Sequence, residues 1–364
     1  MSSQWGRNIR ISVFGESHGS AVGAVVEGLP AGFEPDIEEL HRQMARRSPA
    51  GKAYATKRHE TDEIEFQSGI WRGRLTGSPL CILIKNKDQH SASYPASMDL
   101  PRPGHADFTA HVRYGGAEDY RGGGHFSGRL TAPIVAAGAL AMQLLSKRGV
   151  VIGSHIRRIG EVADRDWDGT ALSPDLLRDM GRSAFPVLRE DTAARMLAAI
   201  ERARMALDSL GGEIETAAVG LPAGIGSPMT DGVESRLASL LFAIPAVKGV
   251  EFGAGFSFCS MKGSEANDPF AVEEGAVKTQ TNHNGGLLGG ITTGMPLVFR
   301  VAVKPTPSIA LTQKTVSLQS LTECELEIKG RHDPCIVPRA VPVVEAAAAL
   351  ALLDAWYDVE PPWR

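Results

Sequence analysis

Arg121-Gly122-Gly123-Gly124-His125-Phe126-Ser127-Gly128-Arg129 runs directly into Leu130–Leu145, where Leu130, Ile134, Val135, Leu140, Leu144 and Leu145 recur at helical spacing. Pro133 is tolerated only in the first turn, so the helix begins between about Phe126 and Thr131. This junction decides the fold class. A glycine run between strand and helix marks a dinucleotide-binding sheet when it reads Gly-x-Gly-x-x-Gly. Gly122-Gly123-Gly124 lacks that spacing, and no other segment supplies it.

Outward from the junction, strand signals fall at Asn8–Phe14, Val22–Val26 and Leu80–Ile84 on one side. Val150–Ile156, Ile214–Val219, Val250–Phe258 and Leu297–Val303 follow on the other. Asp36 is placed to cap a helix carrying Ile37, Leu40 and Met44, which Pro49 stops. Thr192–Ser209, Val233–Phe242 and Arg339–Trp356 also read as helices. Strands and helices alternate without regular βαβ spacing, so the class is α+β, with helices packed against antiparallel or mixed sheets. No Pro/Ser-rich linker and no fixed repeat divides the chain, so residues 1–364 are expected to form a single domain.

The formal net charge of −4 argues against a globally basic nucleic-acid binder. The uncharged stretch Leu130–Ser146 falls short of the roughly 20 residues that cross a bilayer and reads as a core helix. Residues 1–10 carry no apolar signal core, so a cytoplasmic protein with no membrane partner is expected. Cys81, Cys259, Cys324 and Cys335 form no CxxC pair and read as free thiols. Glycine is abundant, at 40 of 364 residues, and no low-complexity block accounts for it. Left-handed backbone or close approach to ligands does.

Five segments concentrate reactive side chains in non-periodic, glycine-rich sequence. Gly15-Glu16-Ser17-His18-Gly19 puts a histidine of near-neutral pKa at a strand end, where it serves either proton transfer or a turn. Arg102-Pro103-Gly104-His105-Ala106-Asp107 pairs an imidazole with a carboxylate able to orient it; a turn is the plainer alternative. Arg121–Arg129 reads as an anion cradle, with backbone N–H groups, Ser127 and two flanking arginines at a helix start, or as a flexible surface loop. Asn282–Gly290, with Lys304-Pro305-Thr306-Pro307-Ser308 beyond it, admits a flat ring or a phosphate, or is a turn and a stiff proline segment. Arg331-His332-Asp333, close to Arg339, offers guanidinium forks and a base, or a solvated helix start. Arg42, Arg46, Arg47, Lys52, Lys57 and Arg58 fit an electrostatic funnel for a polyanion, or form a solvated charged face. Together these residues indicate proton transfer on a phosphorylated, carboxylated small molecule; no metal site stands out.

The five segments resemble, in order and wording, the chorismate synthase family. Gly15-Glu16-Ser17-His18-Gly19 with Glu27-Gly28-Leu29-Pro30 is similar to its opening motif. Arg102–Asp107 and Tyr120–Gly124 are similar to its central region, and Ser127-x-Arg129-x-Thr131 to its second signature. Gly285–Gly290, Lys304–Ser308 and Arg331-His332-Asp333-Pro334-Cys335 are similar to its C-terminal half, so that the resemblance runs from about Gly6 to Trp356.

The resemblance implies a β-α-β sandwich, a homotetramer, and conversion of 5-enolpyruvylshikimate-3-phosphate to chorismate with reduced FMN. It implies that His18 is the acid near the departing phosphate, that His105 faces the flavin, and that Asp333 relays the proton taken from the substrate. It implies flavin contacts at His125, Phe126, Ser127, Ala246, Gly289, Lys304, Pro305, Thr306, Pro307, Ser308 and Arg331. Substrate contacts are implied at Ser17, Arg47, Arg129 and Arg339. Leu130 stands where the family signature often has an acid, and His125-Phe126 replaces a basic–small pair. Members that reduce their flavin with NADPH carry a further arginine where this chain has Lys52-Ala53, which argues against NADPH as reductant here. Two other readings of the same residues are a metal-dependent phosphohydrolase built on His18, His105, Asp107 and Asp333, and a flavin binder without turnover.

Overall fold

The structure is a computed structural model and describes residues 3–49, 62–87, 99–328 and 333–360. Two antiparallel five-stranded sheets enclose a layer of helices. The first sheet contains β1 (Gln4–Trp5), β2 (Arg10–Gly15), β3 (Ala21–Glu27), β4 (Glu65–Ser68) and β5 (Leu80–Lys85), in the order β1-β2-β3-β5-β4. The second contains β6 (Val151–Ile159), β7 (Val162–Ala163), β8 (Gly212–Val219), β9 (Val247–Phe252) and β10 (Leu297–Val303), in the order β9-β10-β8-β6-β7. The α-helices longer than one turn are α1 (Ile37–Arg47), α2 (Asp107–Tyr114), α3 (Thr131–Ser146), α4 (Pro174–Arg182), α5 (Glu190–Met205), α6 (Val233–Phe242) and α7 (Val337–Trp356).

The expected β-α-β sandwich follows from the two helices that are apolar all round. A helix with no polar face must be covered on every side. In α3 every residue from Thr131 to Ala141 is buried, and in α7 every residue from Ala340 to Trp356. α3 lies on β3 and β5, α7 lies on β6 and β8, and the two helices pack against each other. Small residues allow that approach: a Cβ on Gly138 would sit 2.3 Å from the Cβ of Ala346. The segment Gly128–Ser146 has the length and apolarity of a membrane span, but 83% of it is buried inside the fold.

Polar groups within this layer are paired, as burial requires. Asp354 accepts the backbone N–H groups of Arg7, Asn8 and Ile9 at 2.9, 2.6 and 2.8 Å, and its other oxygen takes Arg236 at 2.9 Å. This ties the start of the first sheet to the end of α7. Asp36 caps α1 as its sequence suggests, accepting from the Glu39 N–H at 3.0 Å.

Two expected elements end early. The strand expected over Val250–Phe258 stops at Phe252, because Gly253 and Gly255 take φ of +54° and +53°. A side chain on Gly253 would collide with the His283 carbonyl oxygen at 1.9 Å, so the chain turns there to pass close beneath that loop. The helix expected to reach Ser209 ends at Met205, and Leu207 adopts φ +61°. Elsewhere the bounds shift by a few residues at most.

The sandwich brings several termini to one end. Gly15 pairs with Val22, so Glu16–Ser20 is the hairpin loop between β2 and β3. The end of α1 meets the starts of α3 and α7 through Arg47, which donates to Thr131 and whose carbonyl accepts from Arg339.

Candidate active site

His18 and His105 pack against successive glycines of one run. Gly122, Gly123 and Gly124 take φ of +61°, +97° and +50°. A Cβ on Gly122 would lie 2.1 Å from His18 Cε1 and 2.7 Å from Ser17 Oγ; one on Gly123 would lie 3.0 Å from His105 Nε2. The left-handed backbone therefore clears space for two imidazoles. The run is not itself the first turn of α3, which starts at Thr131. Its glycines are non-helical and precede a separate turn at Gly128–Leu130, and Arg121 is paired with Asp119 at 2.8 Å.

His18 is buried, with only 5% of its surface exposed. Its Nδ1 lies 2.9 Å from Ser17 Oγ, and Ser17 Oγ donates to the Arg121 carbonyl at 3.3 Å. With the hydroxyl proton so assigned, His18 donates from Nδ1 to Ser17 Oγ. The Ser17 N–H donates to the Gly124 carbonyl at 3.1 Å, so loop and glycine run hold one another.

His105 is oriented by a charged network. Its Nδ1 donates to Asp107 Oδ1 at 2.6 Å. Arg102 grips the same carboxylate with Nε and Nη2, at 2.7 and 2.8 Å, and reaches Ser308 Oγ at 3.2 Å. Burial pushes the Asp107 carboxyl up, but the hydrogen bonds from Arg102 and His105 outweigh it and hold it well below the usual carboxylate range. An ionised carboxylate on Nδ1 fixes the tautomer and leaves Nε2 toward Gly123. Lys304 Nζ donates to the Gly104 carbonyl, which docks the Lys304–Ser308 segment against this network. Burial, and the nearby Lys248 charge, lower the Lys304 ammonium from its ordinary value. Thr306 Oγ1 is buried without a hydrogen-bond partner among the described residues.

The third part is a buried arginine cluster. Arg47 Nε donates to Thr131 Oγ1 at 3.0 Å, Nη2 donates to the Gly128 carbonyl at 3.2 Å, and Nη1 meets Asp62. Arg129 meets the other oxygen of Asp62 through Nη1 and donates from Nε to Asn86 Oδ1 at 2.8 Å. Asn86 in turn donates to the carbonyls of Glu16 and Gly19, at 3.1 and 2.8 Å, which links Arg129 to the His18 loop. Arg339 pairs with Asp333 and donates to the Arg47 carbonyl at 3.0 Å. Burial lowers the Arg47 guanidinium to about 10; Asp62 opposes that shift, and the charges of Arg339 and Arg129 add to it. Arg47 is therefore still a cation at neutral pH. Despite its own burial, Asp62 is held below the usual carboxylate range by the two arginines.

Ser17, His18, His105, Arg47, Arg129, Arg339 and Asp333 are thus joined by bonds and contacts, with Lys304 and Ser308 beside His105. Pro305, Thr306 and Pro307 belong to that same segment, and Ala246 adjoins it by accepting the Lys304 N–H at 2.9 Å. Ser127 caps the turn before α3, accepting from the Arg129 N–H at 3.2 Å. Both ring nitrogens of His125 are taken within the chain, by the Gly15 carbonyl at 2.8 Å and Ser3 Oγ at 2.7 Å. Phe126 beside it is 37% exposed and packs near Tyr114. Gly289 lies on the Leu287–Thr293 hairpin, whose neighbouring Gly290 packs on Ser227 and Gly232. Arg331, Lys52, Ala53, Lys57 and Arg58 lie outside the described residues. Arg42 and Arg46 are bound to Glu39 and Glu345. Among the described residues no three His, Cys, Asp or Glu side chains gather as ion ligands, and Asp333 is committed to Arg339. That geometry gives the phosphohydrolase reading no support.

Asp62 and Asn86 were not singled out from the sequence. Two buried arginines require an anionic partner, and that requirement was the available signal for Asp62.

Comparison with known proteins agrees with this arrangement. The family model described as chorismate synthase matches residues 9–357. A chorismate synthase of Thermococcus gammatolerans is 50% identical over 349 residues, covering 96% of each chain. One of Thermococcus kodakarensis is 48% identical over the same length and share. A crystal structure of chorismate synthase superposes with a TM-score of 0.77 at 29% identity, covering 97% of this chain and 93% of that one. A sandwich with two glycine-seated histidines and a shared arginine cluster, matched in sequence and in three dimensions across nearly its whole length, places this chain in the chorismate synthase family.

Proposed function

We propose that this protein converts 5-enolpyruvylshikimate-3-phosphate to chorismate, by 1,4-anti elimination of phosphate and the C6 hydrogen, with reduced FMN and no net redox change. This would be a carbon–oxygen lyase at the last common step of aromatic amino-acid synthesis. The observation that carries the reading is the seating of His18 and His105 on adjacent glycines, with a buried arginine cluster joined to the His18 loop through Asn86.

Reduced FMN would lend electron density to the substrate as phosphate leaves. The residues present fit such a group: the unpartnered Thr306 Oγ1 is a buried polar atom in the segment assigned to flavin, docked beside His105. Lys304, Pro305, Thr306, Pro307, Ser308, Ala246 and Ser127 would hold it, with Gly289, His125, Phe126 and Arg331 as further contacts. NADPH is not assigned as its reductant.

The chain's own residues divide the remaining work. Arg47, Arg129 and Arg339 supply fixed positive charge to the substrate phosphate and carboxylates, and Ser17 adds a donor. Cations already in place cost no reorganisation as charge develops on the leaving group. His18 delivers a proton from Nε2 to the departing phosphate. Asp107 holds His105 with Nε2 directed at the glycine run, where it would hold a proton at the flavin ring. Asp333 accepts the proton lost from C6, and its ion pair with Arg339 orients that carboxylate. We further propose a single functional domain over residues 1–364, a homotetramer, a cytoplasmic location, and no nucleic-acid or membrane partner.

The test is purified protein with the enolpyruvyl substrate and chemically reduced FMN, without oxygen and with a chelator present. Chorismate should appear at a rate proportional to enzyme. Folded protein that yields none refutes the reading; inhibition by the chelator favours the metal-dependent alternative, and FMN binding without product favours a passive flavin binder.

A further inference from the structure

Asp62 takes no part in the chemistry above, yet its carboxylate is 1% exposed and lies between two guanidinium groups. Oδ2 meets Arg47 Nη1 and Oδ1 meets Arg129 Nη1. The other described acceptors on these side chains are neutral: Thr131 Oγ1 and the Gly128 carbonyl on Arg47, Asn86 Oδ1 and the Lys85 carbonyl on Arg129. Two buried cations this close repel each other, and burial penalises each of them. A carboxylate shared between them offsets part of both costs. Neither contact is a side-on fork: Arg47 and Arg129 each meet Asp62 through Nη1.

We propose that Asp62 is a positioning residue of the anion site, whose carboxylate sets the spacing and orientation of Arg47 and Arg129 so that they meet the substrate as a preformed pair. The inference rests on the reading that these two arginines hold the substrate's phosphate or carboxylates. Asp62 acts through them and touches no reacting atom. Its removal therefore weakens substrate binding more than it slows chemistry.

The experiment compares the full-length protein with Asp62→Asn, Arg129→Gln and Asp62→Asn/Arg129→Gln. Binding of the enolpyruvyl phosphate substrate is measured by calorimetry with oxidised FMN, where no turnover occurs. KM and kcat are measured with reduced FMN. Asp62→Asn should weaken binding and raise KM by about tenfold or more, equivalent to about 1.4 kcal/mol, with kcat within about threefold of wild type. Equal losses in kcat and affinity for Asp62→Asn, or tighter binding, overturn the inference; the second result would make Asp62 a competitor of the substrate. If Asp62→Asn does not fold, the double variant decides, since it removes one charge of each sign. It should bind substrate more weakly than Arg129→Gln alone, because Arg47 has then lost its guide. Equal binding by these two overturns the positioning role. Wild-type affinity in Arg129→Gln removes the anion reading itself, and the inference with it.

Discussion

Gly122→Ala probes how His18 is held. The new Cβ would lie 2.1 Å from His18 Cε1 and 2.2 Å from Nδ1, where ordinary contact begins at 3.4 Å. The ring must withdraw by about 1.3 Å, and a displacement of about 1 Å at a catalytic group costs on the order of 100-fold in rate. Alanine at φ +61° adds backbone strain of about 1–2 kcal/mol. Ser17 Oγ, 2.7 Å from the same Cβ, must also move, so the Nδ1 bond that sets the His18 tautomer is lost with the ring position. The expected result is a kcat about 100-fold lower, with stability reduced by no more than about 3 kcal/mol. Chorismate formation under anaerobic conditions measures the first, and urea unfolding the second. Gly128→Ala is the matched control, since its Cβ meets no atom within 4 Å. Wild-type turnover in Gly122→Ala would refute the claim that the glycine seats the imidazole; equal losses in the two variants would show that any side chain in this segment is harmful.

Three further outcomes follow from the same geometry. His18→Ala should lower turnover far more than FMN affinity, measured by flavin fluorescence; collapse of flavin binding instead would remove His18 from the phosphate side. Asp107→Asn should reduce kcat by misorienting His105, and it should also change the acid unfolding curve. Because the folded Asp107 carboxyl is depressed, its stabilisation is present above the unfolded value of about 3.9 and is lost as pH falls through the lower folded value. Stability of the wild type should thus fall more steeply than that of Asp107→Asn below about pH 4, and parallel curves would contradict the assigned shift. Gly138→Ala should destabilise the helix layer by about 1–3 kcal/mol, because its Cβ would lie 2.3 Å from Ala346 Cβ and 2.5 Å from Ala346 Cα; an unchanged urea midpoint would mean that α3 and α7 are farther apart.

How much could be read beforehand depended on the range of the interaction. The helix α6 was legible to the residue, since Val233–Phe242 carries its pattern locally. The strand order β9-β10-β8-β6-β7 was not, because pairing such as Thr216 with Phe299 joins residues far apart in the chain. The Gly122–Gly124 run shows the same limit within the site. Its composition announced unusual backbone, and that was right. It could not say what would fill the cleared space, and local motif logic supplied an anion. The occupants are imidazoles from the β2–β3 loop and from the turn just before α2. Asp62 was hidden for a related reason: in Asp62-Glu63-Ile64-Glu65 it looks like one of several solvated acids at a strand start. Burial alone separates it: its side chain is 1% exposed, against 64% and 41% for those of Glu63 and Glu65. A cation cluster that must be buried to bind an anion cannot be stable without a resident counter-charge. The search for that carboxylate belongs beside the search for the arginines, and here its answer stands just after the basic segment that follows Arg47.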